Sequence, residues 1–303
     1  MKIGNPFRRV SYREEFREQK EDSAMDIIEG GVITGVQQAV DVGFRCSGCF
    51  YRGEADTYAI PIPKVFRKRY WPDSGSKYSP EEAERLRGIE SGWIYEFKRL
   101  AVGLTTGLPE GGNEINNLNW LFLMEHHGMP TRLLDWTQNI LVALFFAVAG
   151  DAEDNDRRDG QIWVIRPHDL NDKGGVGSGF PLPGHPIVEY LAREMFYGLG
   201  RKEGLARKLQ LEPIPTEPVA ILPPLPWPRM IAQNSAFTLH PKPRSLENMY
   251  VPEAKLTRHR VSSSSKVKIR RELRLIGIEY RTLFPELDSI ARDINRRHDD
   301  ESR

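Results

Sequence analysis

The chain has 303 residues, 39% of them hydrophobic and 28% charged, and a formal net charge of +1. That composition suits a globular protein with a substantial core. The near balance of charge excludes a molecule built as a whole around attraction to nucleic acid or a membrane surface. Its two cysteines, Cys46 and Cys49, form a single C-x-x-C, too few for a disulfide framework or a four-ligand zinc site, and they favour a reducing compartment.

In chain order, residues 1–30 form a charged extension in which 11–22 read as a surface helix. The opening MKIGNPFRRVSYREEF lacks the apolar run of a signal peptide, and the longest apolar stretch, 140–149, is too short to span a bilayer. The expectation is a cytoplasmic protein with no membrane partner. Residues 32–42 mix apolar and polar positions without a clean period. Residues 49–60 read as the first strand, anchored by Tyr51. Ser79-Pro80-Glu81-Glu82 starts a helix reaching about residue 100, with Ser as cap, Pro at the first position and acids in the first turn. After the loop LPEGGNEIN, residues 118–127 are helical until Gly128 and Pro130 break them.

Residues 131–136 are short and extended. Asn139 caps a helix over 140–149 that is apolar on every face and therefore belongs in the core, with Phe145 and Phe146 among its packing residues and Gly150 closing it. DAEDNDRRDG is a surface turn, and 161–166 (QIWVIR) a central strand. Residues 168–186 read as loop, and their GGVGSG lacks both Gly-Lys-Ser/Thr and the G-x-G-x-x-G spacing of phosphate-binding loops. Residues 219–222 and 231–240 read as strands. Ser265 caps a helix with Ile269, Leu273 and Ile276 on one face, stopped by Gly277; Pro285 opens a last helix with Leu287, Ile290, Ala291 and Ile294 at helical spacing. The fold class expected is α+β (mixed α/β), a single compact domain with a central mixed sheet and surrounding helices. It comprises the extension 1–30, a domain over 31–297 and a polar tail over 298–303.

Two stretches place polar residues inside apolar surroundings: Phe50-Tyr51-Arg52-Gly53, and His126 to Thr137 (HHGMPTRLLDWT). A buried guanidinium or carboxylate must be paired and hydrogen-bonded, so Arg52, Arg132 and Asp135 are expected to form one network. His126 and His127 are adjacent and point to different sides, so they do not form a metal pair, and one of them faces the core or a pocket. Arg52 and Glu54, two apart on a strand, share a face.

These residues resemble the FRG-domain family. Tyr51-Arg52-Gly53 matches its (F/Y)-R-G triplet, and His127 to Thr137 (HGMPTRLLDWT) its second signature, followed by Ala143-Leu144-Phe145-Phe146-Ala147. Arg229 to Phe237 is similar to a motif R-x-x-x-Q-x-G-x-F, with Ser235 in place of Gly, and Leu283-Phe284-Pro285-Glu286-Leu287 to the closing L-F-P-D/E-L. Together the motifs span roughly residues 44–295.

A second-order resemblance links the triplet to ADP-ribosyltransferases of the Arg-Ser-Glu type, and so implies an ADP-ribosyltransferase-like fold. In those enzymes an arginine on the first core strand holds the phosphates and ribose of NAD. The resemblance implies NAD as substrate and no metal. It implies Arg52, Glu54, His127 and Asp135 as catalytic candidates, and Tyr51, Arg52, Gly53, Thr131, Arg132, Trp136 and Gln233 as contacts to the nucleotide. An arginine fork suits phosphate or ribose oxygens, a glycine admits close approach to the backbone, and Tyr51 or Trp136 offers a stacking surface. Those enzymes also use a late glutamate. The corresponding stretch RMIAQNSAFTLH offers Gln233 and no carboxylate, leaving Asp135, Glu125 or Glu54 to replace it.

Three functions stay open. One is an NAD-using ADP-ribosyltransferase or NAD-cleaving enzyme, acting on a protein or other target as a toxin or phage-defence effector. Another is a non-catalytic module for a nucleotide or other small ligand. The third is a nucleic-acid-associated protein using the basic segment 255–274, which holds eight Lys/Arg against one Glu.

Overall fold

The computed structural model describes residues 27–57, 61–67, 80–104, 108–109, 116–149, 156–182, 184–197, 217–224, 227–241 and 256–301. The helix expected over 11–22 lies outside them. Among the described residues, seven strands form one sheet: β1 (Ile28–Ile33), β2 (Phe50–Glu54), β3 (Leu133–Thr137), β4 (Gly160–Ile165), β5 (Val219–Ile221), β6 (Ser235–Leu239) and β7 (Thr257–Val261). Their order is β1-β7-β4-β2-β3-β6-β5; β1 and β7 run parallel and every other pair antiparallel. The expected mixed α/β fold with a central mixed sheet is therefore present. No helix among the described residues is long and apolar enough to cross a membrane.

The helices are α1 (Val36–Arg45), α2 (Pro80–Ala101), α3 (Asn116–His126), α4 (Ile140–Val148), α5 (Pro167–Lys173), α6 (Pro186–Tyr197), α7 (Pro228–Ala232), α8 (Lys266–Leu275), α9 (Tyr280–Leu283) and α10 (Leu287–Glu301), with a 3-10 turn at Lys64–Phe66. Helix α4 has the expected start: the Asn139 side chain accepts a hydrogen bond from the Leu141 amide at 2.9 Å. Seven of its nine residues are buried, because the sheet lies beneath it and α1 and α8 pack over it.

One face of the sheet carries two cores. Over β7, β4 and β2, Tyr51, Ile162, Val164 and Val261 pack with α1, α4 and α8. Over β3, β5 and β6, Leu133, Phe237, Leu239 and Val219 pack with α2, α3 and α6. The opposite face buries Phe50, Leu134, Trp136, Trp163 and Ile165 with Leu170 of α5 and Phe180. The two cores of the first face meet at the seam between β2 and β3. There the ladder is reduced to one pair, Tyr51↔Thr137, while β2 pairs along its whole length with β4 and β3 along its whole length with β6.

Several expectations are corrected. Residues 28–30, assigned to the extension, already belong to β1, and 298–301, assigned to a polar tail, are helical with Asp300 buried. The loop expected over 168–186 begins as a helix, because Pro167 sits at its first position and fixes a helical φ. The strand expected over 231–240 is the end of α7 followed by a turn and then β6, with Asn234 at φ 45° in the turn. Ser265 precedes α8 without a capping side-chain bond. Ile269 and Leu273 are buried, but Ile276 is exposed beyond the helix end. Leu287, Ile290 and Ile294, read at helical spacing, are 83%, 45% and 61% exposed. Strands β1 and β7 and helices α1, α6 and α9 were not anticipated.

Candidate functional site

Strand alternation and pairing with β4 decide what the triplet does. Arg52 stands opposite Trp163 and Glu54 opposite Gln161, so all four share one face. Arg52 Nε donates to Glu54 Oε1 at 3.0 Å, and Glu54 Oε2 accepts from Gln161 Nε2 at 2.9 Å and Trp163 Nε1 at 3.2 Å. Glu54 is thereby fully engaged. The remaining reach of Arg52 goes across the seam, where Nη1 donates to the backbone carbonyl of Asp135 at 2.9 Å. This guanidinium holds β2 to β3 where the ladder has thinned. Tyr51 points the other way into the core, its hydroxyl donating to the Cys46 carbonyl at 2.7 Å.

Gly53 has a different reason from the one its sequence context suggests. A Cβ there would lie 1.7 Å from the carbonyl oxygen of Ala143, and one at Gly160 would lie 2.2 Å from that of Ala147. The two glycines let the backbone of α4 rest directly on β2 and β4. Close approach at Gly53 is made by a helix.

The expected network of Arg52, Arg132 and Asp135 does not form. Arg132 is 1% exposed and binds Glu90 through Nε (2.7 and 3.0 Å) and Nη2 (2.5 Å), with Nη1 donating to the Pro241 carbonyl at 3.0 Å and the Phe66 ring beside it. It braces α2 against β3, sealed from the seam. Asp135 meets Arg52 only through its main chain.

At the seam opens a cleft of about 260 Å³. Tyr51, Arg52, Gly53, Asp135, Trp136 and Gln233 of the expected site line it; Glu54, His127, Thr131 and Arg132 do not. Trp136 has its indole on the opposite face of the sheet from Asp135, donating to Thr238 Oγ1 at 3.0 Å. His127 is exposed beside Phe97, and it is His126 that lines the cleft. The sequence passed over Lys64 and Arg229 as site residues, whereas Glu125, named as one possible replacement for the late glutamate, does line the cleft. Glu125 and His126 were legible as polar residues ending the apolar run of α3, and Arg229 as the head of the R-x-x-x-Q-x-G-x-F motif. All four fixed positions of that motif, Arg229, Gln233, Ser235 and Phe237, line the cleft. Nothing local marked Lys64.

The charges in the cleft are of unlike state. Glu125 is buried; Lys64 Nζ donates to its Oε1 and Thr131 Oγ1 to its Oε2, both at 2.7 Å. Thr131 thus acts behind the site. Burial and the nearby charge of Asp135 outweigh these donors and push the Glu125 carboxyl up to about 7. The Asp135 carboxylate is exposed and accepts no hydrogen bond or ion pair from the described residues. Burial lowers the pKa of His126, reinforced by the charges of Arg229 and His127, so the imidazole tends to neutrality. Gln233 is held in place, its Nε2 donating to the Leu283 carbonyl at 3.1 Å and its own carbonyl accepting from Thr137 Oγ1 at 2.6 Å.

The basic segment is largely spent internally. Arg258 pairs with Glu29, Arg260 with Asp159, Lys268 with Glu272, Arg270 with Asp156 and Asp300, and Arg274 with Asp300.

Residues 47–156 match the model of a protein family described as the FRG domain. The matched segment holds β2, β3, α2, α3 and α4, the elements that build the seam, and supports a likeness to the FRG family. No curated protein and no solved structure matches the chain.

Proposed function

We propose that the cleft binds a nucleotide and breaks the N-glycosidic bond of NAD, as an enzyme of the ADP-ribosyltransferase or NAD-glycohydrolase kind. The observation that carries this reading is a pair of acids in unlike environments within one cleft: Asp135, exposed and unpaired among the described residues, and Glu125, buried with its carboxyl pushed up to about 7. When the bond breaks, its electron pair goes to the nicotinamide nitrogen, which leaves neutral, and positive charge develops on the ribose carbon and ring oxygen. A free carboxylate facing that charge stabilises it, and Asp135 takes the place of the late glutamate that Gln233 cannot supply. Glu125, while protonated, donates a hydrogen bond to the bound ribose or carboxamide. Water or an acceptor side chain then attacks the ribose carbon, and Asp135 receives its proton. Arg229 offers donors to phosphate oxygens. An enzyme that consumes NAD in this way would serve as a toxin or phage-defence effector.

Incubation with NAD, read for released nicotinamide, tests the proposal. Wild-type protein is expected to release it, and Asp135→Asn to lose the release by about 100-fold or more, the scale of a lost electrostatic stabiliser. Saturable nucleotide binding without release would make the domain a non-catalytic binding module. Neither binding nor release would end the nucleotide reading.

A further inference from the structure

Arg229 lines two cavities. One is the seam cleft; the other is a groove of about 690 Å³ running along α10, with Phe284 and Arg292 in its wall. The guanidinium lies over the Phe284 ring, 4.5 Å from its centroid, and among the described residues its one hydrogen bond is a long 3.5 Å contact from Nη1 to the His126 carbonyl. No carboxylate among the described residues lies within ion-pair distance of it, although Asp135, Glu286 and Glu125 act on it through space. A half-buried arginine whose fork is left open, at the junction of two cavities, is placed to receive an anion that enters both.

We infer that the groove is the second subsite of the cleft, and that the ligand is a dinucleotide whose pyrophosphate lies at Arg229. This rests on the nucleotide reading of the cleft. The volumes argue for it: about 260 Å³ falls below the range of roughly 300–1,000 Å³ that houses a drug-sized ligand, whereas the adjoining groove falls within it. The rest of the groove suits a nucleoside. Glu286 and Asp288 are acceptors for ribose hydroxyls, while Asn295 offers donor and acceptor to a base edge.

The test compares NAD with nicotinamide mononucleotide, which lacks the adenylate half, by titration calorimetry on the full chain. Wild-type protein is expected to bind NAD at least tenfold more tightly. Ala291→Trp fills the groove from an exposed helical position, so it should bring NAD down to the affinity of the mononucleotide and leave the mononucleotide as it was. Arg229→Ala should weaken both by tenfold or more, with a thermal melt confirming that it folds. Equal wild-type affinities, or NAD binding indifferent to Ala291→Trp, would overturn the second subsite and leave the cleft reading standing. If neither ligand binds wild-type protein, both fall together.

Discussion

Glu125 separates the work of holding the fold from the work proposed for the cleft. Its carboxyl titrates at about 7 in the folded chain against an ordinary value of 4.5. Below the lower value it is protonated in both states and favours neither. Between the two the folded state keeps a proton that the unfolded state releases, so this group's contribution to stability falls as pH rises through that window. Glu125→Gln abolishes the dependence. Its melting temperature relative to wild type should therefore rise from about pH 5 to about pH 8; a difference that stays constant over the interval would show that burial does not perturb the group. Gly53 shows the limit of reading a motif residue by residue. The sequence marks that a side chain is unwelcome, and only the position of α4 says what occupies the space.

Helix α10 is inside out. Its apolar residues Leu287, Ile290 and Ile294 face outward, and Ser289, Asp293 and Asp300 face the body. Asp293 accepts from the amides of Tyr280 (2.9 Å) and Arg281 (2.8 Å), satisfying free donors at the start of α9. Asp300 receives Arg270 and Arg274, and its carbonyl receives Arg271. Asp300→Asn should therefore cost about 3–5 kcal/mol, the scale of leaving a buried charge without its partner, whereas Leu287→Gln should change stability by less than about 0.5 kcal/mol. Urea denaturation of the two variants checks the contrast, and a larger loss from Leu287→Gln would mean that the apolar face is the packed one. Periodicity shows that a helix has two faces but not which one is buried when the neighbouring surface is rich in arginine. That same surface hid β7, whose outward Arg258 and Arg260 alternate with inward His259 and Val261 and read in sequence as part of a run of cations. Where the signal was local, as with Asn139 before α4 or the apolar run of β4, it was legible. The partner of Arg132 was not, since Glu90 lies 42 residues upstream on another element.

At the scale of the molecule, the sheet order governs what can stand alone. The segment 47–156 supplies β2 and β3, but the long partner of β2 is β4 and that of β3 is β6, both later in the chain. Without them the two strands share one ladder pair, too little for an independent sheet. Residues 47–156 produced alone should show no cooperative thermal transition and no near-ultraviolet circular dichroism, while residues 27–301 show both; a cooperative melt from the short piece would contradict this account of the seam. The pairing of β1 with β7 extends the point to synthesis. Glu29 and Arg258, adjacent across that ladder, are 229 residues apart. At roughly 5–20 residues per second of translation, β1 leaves the ribosome on the order of 10–45 s before its partner exists. Its glycines and exposed valine and isoleucine stay without that partner for the interval, so β1 must wait for a strand that lies 229 residues downstream.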